Sequence, residues 1–180
     1  MTTHARSSRP SGPDFTVAPD VRLPPADVRE LGRRLRRAAR RMGVPIADIA
    51  SISVHIVADP EIQRLNAQHM GEDRPTDVLS FPARSPDGPP RFLDEDEDED
   101  AGRGPAIGLG DIVLSWDAVR RQADARPPLD EATVLVIHGL AHLLGHDHTG
   151  RRDGRAMHRR ERRGLAAARV ADIPRPYGVR

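Results

Sequence analysis

Residues 138–148 read His-Gly-Leu-Ala-His-Leu-Leu-Gly-His-Asp-His, which fits the pattern HxxxHxxGxxH. His138 and His142 are four residues apart, about one helical turn, so both imidazoles leave the same face of a predicted helix. Gly145 can adopt a positive φ at little steric cost, which ends the helix and lets the chain turn back. His148 can then reach the same point from the following loop.

Three neutral imidazoles around one point are a typical ligand set for zinc. A single histidine on an apolar helix is more often a packed core residue, but half of the chain's eight histidines lie within this stretch. We therefore predict one Zn²⁺ per chain on His138, His142 and His148. With three protein ligands, the fourth position stays open to water, as in catalytic rather than structural zinc sites.

The motif ends a predicted helix over residues 129–144, which follows Pro127-Pro128. Apolar residues lie on nearly all sides of this helix, so we expect it to be buried in the core and to hold its two histidines rigidly. The metal site is thus predicted on a buried helix and the loop after it.

Elsewhere, apolar periodicity predicts further strands and helices. Strands are expected near residues 15–17, 51–58, 78–81 and 107–115, with His55 facing away from the core. Helices are expected over residues 26–42, after a cap at Asp59-Pro60, over residues 116–125 and over residues 153–170, the last with Met157, Leu165 and Val170 inward.

Composition predicts one domain over residues 14–170, since 180 residues suit a single core. Residues 1–13 and 171–180 are predicted tails, and residues 84–105, rich in Pro, Gly and acid, a solvated insertion loop. The chain has no cysteine, and we find no signal sequence or membrane-spanning run. The expected location is the cytoplasm.

The net charge of +1 hides a basic protein, because residues 94–100 contain seven acidic groups and the rest carries +8. All 28 basic residues are arginine, whose planar fork binds phosphate oxygens. The arginine-rich helices are either solvated faces or an RNA-binding surface. If these helices bind RNA, the acidic run over residues 94–100 is either a plain solvated loop or a segment that competes with RNA for the arginines.

Three segments together resemble the YbeY-type rRNA maturation factors, a family of bacterial zinc-dependent endoribonucleases. They are LNxxxxxxDRPTDVLSFP from Leu65 to Pro82, LGDIVLS from Leu109 to Ser115, and HGLAHLLGHDH from His138 to His148; the spacing of Met157 and Glu161 also fits. The likeness covers roughly residues 45–165.

The resemblance implies an α+β fold with a small mixed sheet packed against helices, zinc-hydrolase-like, with zinc on the three histidines. It also implies single-strand-specific RNA cleavage in rRNA maturation, at the 3′ end of 16S rRNA, and in ribosome quality control, with the small ribosomal subunit or its proteins as partners. Many members have an arginine where this chain has Met70. We expect Arg74 to contact the RNA substrate in place of that arginine.

Two rival functions are compatible with the motif. In zinc peptidases with HExxHxxGxxH a glutamate acts as general base, but this chain has Gly139 there. Alternatively, zinc stabilises a non-catalytic RNA- or ribosome-binding protein, which would require a fourth ligand from Asp147 or His146. For the enzyme, Asp147 either orients a ligand imidazole, acts as base or caps the turn, and His146 is expected to be a turn residue.

Overall fold

The computed structural model describes residues 12–83, 108–146 and 151–171. Within these ranges the elements are, in chain order, β1 (Asp14–Val17), α1 (Pro25–Arg41), α2 (Ile46–Ile49), β2 (Ile52–Val57), α3 (Asp59–Met70), β3 (Val78–Pro82), β4 (Gly110–Ser115), α4 (Trp116–Gln122), α5 (Pro128–Leu143) and α6 (Arg151–Ala168). The fold is α+β.

The four strands form one mixed sheet in the order β1-β2-β4-β3. Strand β2 pairs in parallel with β1 and with β4, and Ile52 lies opposite Gly110. Strand β3 runs antiparallel to β4, with Ser80 opposite Ile112. The central strands β2 and β4 are the most buried, as expected for strands with neighbours on both sides.

Helix α5 is the centre of the main core, between the sheet and helices α1 and α6. Twelve of its sixteen residues are buried. Leu135, Ile137 and Leu140 are fully inaccessible to solvent, and each such side chain contributes about 1.5–3 kcal/mol on burial. Packing therefore holds the helix along most of its length, and the backbone that carries the side chains at its C-terminal end is well fixed.

Arg34 connects α1 to the start of α5. Its guanidinium donates to the Asp130 carboxylate at 2.7 Å and to Thr133 Oγ1 at 3.2 Å. Asp130 lies in the first turn of α5, where negative charge also complements the helix dipole. This contact orients the helix that carries the histidine motif.

The opposite face of the sheet is covered in part by α3. A second, smaller cluster there includes Ile62, Leu79 and Val113. Helix α3 ends at Gly71, which adopts φ 74°. The buried Asn66 side chain then donates to the Arg74 carbonyl at 2.8 Å, which fixes the loop before β3.

The predicted α+β class, the small mixed sheet and every predicted strand and helix are confirmed. His55 faces away from the main core as predicted and contacts Asp111. The short helix α2 was not predicted, and β3 includes Pro82 at its end rather than stopping before it. Proline is tolerated there because β3 is an edge strand.

The predicted cap of α3 is wrong in detail. Asp59 was expected to cap the helix, but Ala58 holds that position and the Asp59 carboxylate binds other elements instead. It accepts from Ser115 Oγ at 2.6 Å and from Arg121 Nη1 at 2.5 Å. The side chain therefore fastens α3 to the β4–α4 junction. In the parts of the chain that are described, no helix is long and apolar enough to cross a membrane.

Candidate metal centre

The rings of His138 and His142 converge at the end of α5. Their Nε2 atoms are 3.2 Å apart, and the ring planes are nearly perpendicular, at 88°. His138 is 8% exposed, whereas His142 is half-buried. The pair therefore presents two ring nitrogens to one point at the border between core and solvent, as the spacing predicted.

The helix ends where the sequence predicted, at Gly145. Gly145 adopts φ 79°, its N–H donates to the His142 carbonyl, and the His146 N–H donates to the Ala141 carbonyl. This pair of hydrogen bonds is the Schellman arrangement that reverses the chain after a helix. The chain therefore leaves the helix axis at Gly145.

Glu161, on α6, holds the other side of the His138 ring. Its Oε1 is 2.6 Å from His138 Nδ1. Burial raises the pKa of Glu161, but the hydrogen bond and electrostatic interaction with the His138 ring lower it by more, so the net pKa lies below its usual value. The carboxylate thus accepts the Nδ1 proton, which leaves the lone pair on Nε2 and fixes the ring orientation.

His146 is engaged by an arginine rather than directed at the paired rings. Arg160 Nη1 is 2.9 Å from His146 Nε2, and Arg160 Nε donates to the Met42 carbonyl. Burial and the Arg160 charge lower the pKa of His146. The ring is therefore neutral near pH 7, and its Nε2 accepts a hydrogen bond.

Gly139 fills a tight space between α5 and the sheet. A Cβ here would lie 3.0 Å from both Ile112 Cγ2 and Ser80 Oγ, and Ser80 donates to the Gly139 carbonyl at 3.2 Å. A side chain at this position would be directed into the sheet. The site therefore has no room for the glutamate that the peptidase motif carries here.

Of the predicted site residues, the structure brings His138 and His142 together. Arg74 lies on the loop before β3, is mostly exposed, and pairs with Glu72. Asp147 and His148 lie outside the described residues, as does the acidic insertion. Within the described parts, no group of three or more metal-ligating side chains occurs, so the predicted triad is described only by its two helical members.

Two features of the site are not predicted by the sequence patterns above. The spacing of four residues from Met157 places Glu161 on the inward face of α6 with Leu165. An acidic residue on an inward face requires a partner, which was the available signal. No sequence signal indicated the contact between Arg160 and His146, because it joins a residue of α6 to one that follows α5.

Two converging histidines, one of them oriented by a carboxylate, are a common feature of metal sites in proteins. A family model described as Endoribonuclease YbeY matches residues 24–169. Endoribonuclease YbeY of Rhodopseudomonas palustris (strain BisB5) is 36% identical over 147 residues, covering 81% of this chain and 70% of the relative.

Two more relatives carry the same name. That of Alkalilimnicola ehrlichii is 40% identical over 130 residues, 71% of this chain and 69% of its own. That of Bacillus licheniformis is 39% identical over 138 residues, covering 76% of this chain and 82% of the relative. A Thermotoga maritima solution structure aligns at TM-score 0.47 and 20% identity, over 91% of this chain and 99% of its own, which is too low to add to the assignment. The chain belongs to the Endoribonuclease YbeY family.

Proposed function

We propose that this protein is a zinc-dependent endoribonuclease that hydrolyses single-stranded RNA, with one Zn²⁺ held by His138, His142 and His148. The family supplies the reaction class, since its members are named endoribonucleases. The residues of α5 and α6 supply the chemistry.

The separation of the two Nε2 atoms is the observation on which the proposal rests. Zinc–nitrogen bonds of 2.0–2.1 Å in a tetrahedral site place neighbouring ligand nitrogens about 3.3–3.4 Å apart. The observed distance between His138 Nε2 and His142 Nε2 is 3.2 Å. This separation is close to the spacing that a tetrahedral zinc ion requires of two ligand nitrogens, which supports the proposal.

Each residue of the site has a distinct part in this proposal. Glu161 keeps the proton on His138 Nδ1 and increases the basicity of the ligand nitrogen. The buried α5 prevents the rings from separating. Zinc in such a site polarises a phosphoryl oxygen and makes a water more acidic. Asp147, adjacent to the third histidine, either orients that imidazole or takes a proton.

The peptidase alternative is disfavoured by the packing of Gly139. Its general base would have to stand where Ile112 and Ser80 leave no space, and general base catalysis commonly contributes about 10²–10⁴-fold. Phosphodiester cleavage has other routes, because bound zinc would make a water acidic enough to attack without that glutamate, and RNA also carries the 2′-hydroxyl as a second possible nucleophile.

A purely structural zinc would need a fourth protein ligand. His146 is a poor candidate because its Nε2 accepts a hydrogen bond from Arg160. Asp147 is the other candidate, and its removal separates the two functions: a structural site loses its metal, whereas an open catalytic site retains it.

The proposed cellular role is 16S rRNA maturation at its 3′ end and ribosome quality control, in the cytoplasm, by a domain over residues 14–170. Its partners would be rRNA and the small ribosomal subunit or its proteins. Arg74 is the proposed RNA contact in place of the arginine that Met70 replaces. Arg74→Ala should weaken RNA cleavage and its salt dependence, with Arg64→Ala, another exposed arginine paired with a glutamate, as control.

The direct test is cleavage of a labelled single-stranded RNA by protein as purified, after chelation, and after zinc is restored. We expect cleavage to be lost on chelation and recovered with zinc, and duplex RNA to be resistant. Cleavage that is unaffected by complete removal of metal would contradict the proposal.

The third ligand is tested by zinc content in His148→Ala and His146→Ala. We expect His148→Ala to lose bound zinc and His146→Ala to retain about one ion per chain. The reverse result would assign the third position to His146.

A further inference from the structure

The ends of α1 and α6 enclose a groove lined mainly by arginine. The cavity has a volume of about 540 Å³. Its lining, which we call the arginine groove, consists of Arg41, Arg159, Arg162, Arg163, Ala166 and Ala167. All four arginines are exposed, and the two alanines are small enough to let a strand approach the helix surface closely.

The charges in this groove differ from those at the other end of α1. There, the Glu30 carboxylate accepts from Arg33, Arg34 and Arg37. In the groove, by contrast, no carboxylate of the described residues pairs with Arg41 or Arg163. Like charges close together repel one another, so the groove has a positive potential that a bound anion would relieve.

A neighbouring arginine on α6 joins the two helices that form the groove. The groove residues of α6 also flank Glu161, which contacts a histidine of the proposed metal site. Arg160 donates to the Met42 carbonyl and contacts His146, and so ties the end of α1 to α6. Glu161, between the groove residues of α6, holds His138. One helix therefore carries both the groove on its outer side and the carboxylate that orients a histidine of the site.

We propose that the arginine groove binds the phosphodiester backbone of the RNA substrate at a distance from the bond that is cut. Guanidinium groups bind phosphate oxygens in pairs and stay charged at all working pH values. Backbone binding of this kind does not select a sequence. The inference rests on the proposed function and adds a second region of RNA contact to it.

Two double variants of equal charge test the groove. Arg41→Gln/Arg163→Gln removes two groove charges, and Arg29→Gln/Arg120→Gln removes two exposed arginines elsewhere. Binding of a fluorescent, fully 2′-O-methylated 15-nucleotide single strand is measured by anisotropy as salt is varied. Each phosphate contact on a single strand contributes about 0.7 to the slope of log K against log salt concentration. Losing two contacts should therefore lower the magnitude of this slope by about 1.4 and weaken binding about 25-fold at 0.1 M salt.

We expect the control double variant to stay within about threefold of wild type. Equal RNA binding by both double variants would overturn the proposal. So would a groove variant that loses affinity only for an acidic peptide of the same length, since the occupant would then be a polypeptide. RNA cleavage by wild type is measured in parallel: its absence would contradict the proposed function, while the difference between the two double variants would still decide the groove.

Discussion

In the proposed metal site, the Glu161 carboxylate is a positioning residue rather than a ligand, because it contacts His138. Its Oε1 lies 2.6 Å from His138 Nδ1. Replacing such a partner of a ligand histidine commonly reduces metal affinity about 10–100-fold. We therefore expect Glu161→Gln to weaken zinc binding by this amount, measured by competition with a chromogenic chelator.

A matched variant separates this effect from a general loss of charge. Glu61→Gln removes a helical glutamate that is paired with Arg64 at the surface, and zinc affinity should not change. If Glu161→Gln bound zinc as tightly as Glu61→Gln, the carboxylate would have no part in orienting His138.

The packing of α5 against the sheet limits what residue 139 can be. The Cβ in Gly139→Ala would lie 3.0 Å from Ile112 Cγ2, in the middle of the sheet. Overpacking of this kind commonly costs about 1–3 kcal/mol, so the free energy of unfolding in urea should fall by that order. Gly32→Ala on α1 is the control, because its Cβ would meet Phe15 only at 3.4 Å, and greater helix propensity should keep stability equal or higher.

The junction of α3, β4 and α4 should depend on pH through Asp59. Burial raises the pKa of this carboxyl, and hydrogen bonds from Arg121 and Ser115 lower it further, so its net folded pKa is depressed. A carboxyl whose pKa is depressed on folding stabilises the fold at pH values above its pKa in the unfolded chain, about 3.9. This stabilisation is lost as the pH falls through the pKa of the folded state.

Asp59→Asn should therefore lower the unfolding free energy at pH 7 by about 1.5–3 kcal/mol, the usual contribution of hydrogen bonds to a charged group. The gap to wild type should narrow as the pH is lowered below about 4. Urea unfolding at pH 7, 5 and 3 gives the comparison. A gap that is constant across this range would show that the charge of Asp59 is not what stabilises the junction.

The elements were predictable from sequence because each carries a local signal. Alternation marked β2, helical periodicity marked α1, and Gly145 marked the end of α5. What could not be predicted depends on contacts between distant residues. Asp59 looked like a cap because its position before a helix is typical of one, but Ser115 and Arg121 bind it after folding.

Across the whole molecule, the sequence predicted the pairing of His138 and His142 better than it predicted the residues around them. The spacing of His138 and His142 determines their shared face directly, since both lie on one helix. Glu161 lies on another helix, and only the packing of α6 against α5 brings it to the ring. Likewise, the arginines of α1 and α6 were recognisable as basic faces, but their meeting in one groove required the fold.

The most direct test of the central claim is bound zinc measured together with RNA cleavage in His142→Ala and His55→Ala. His55 lies on the opposite face of the sheet, in contact with Asp111, and is the matched histidine control. We predict that His142→Ala stays folded by circular dichroism but loses both zinc and single-stranded RNA cleavage, while His55→Ala keeps about one zinc per chain and full activity. A folded His142→Ala protein that still binds zinc and cleaves RNA would contradict the claim, and one that unfolds would favour a structural metal instead.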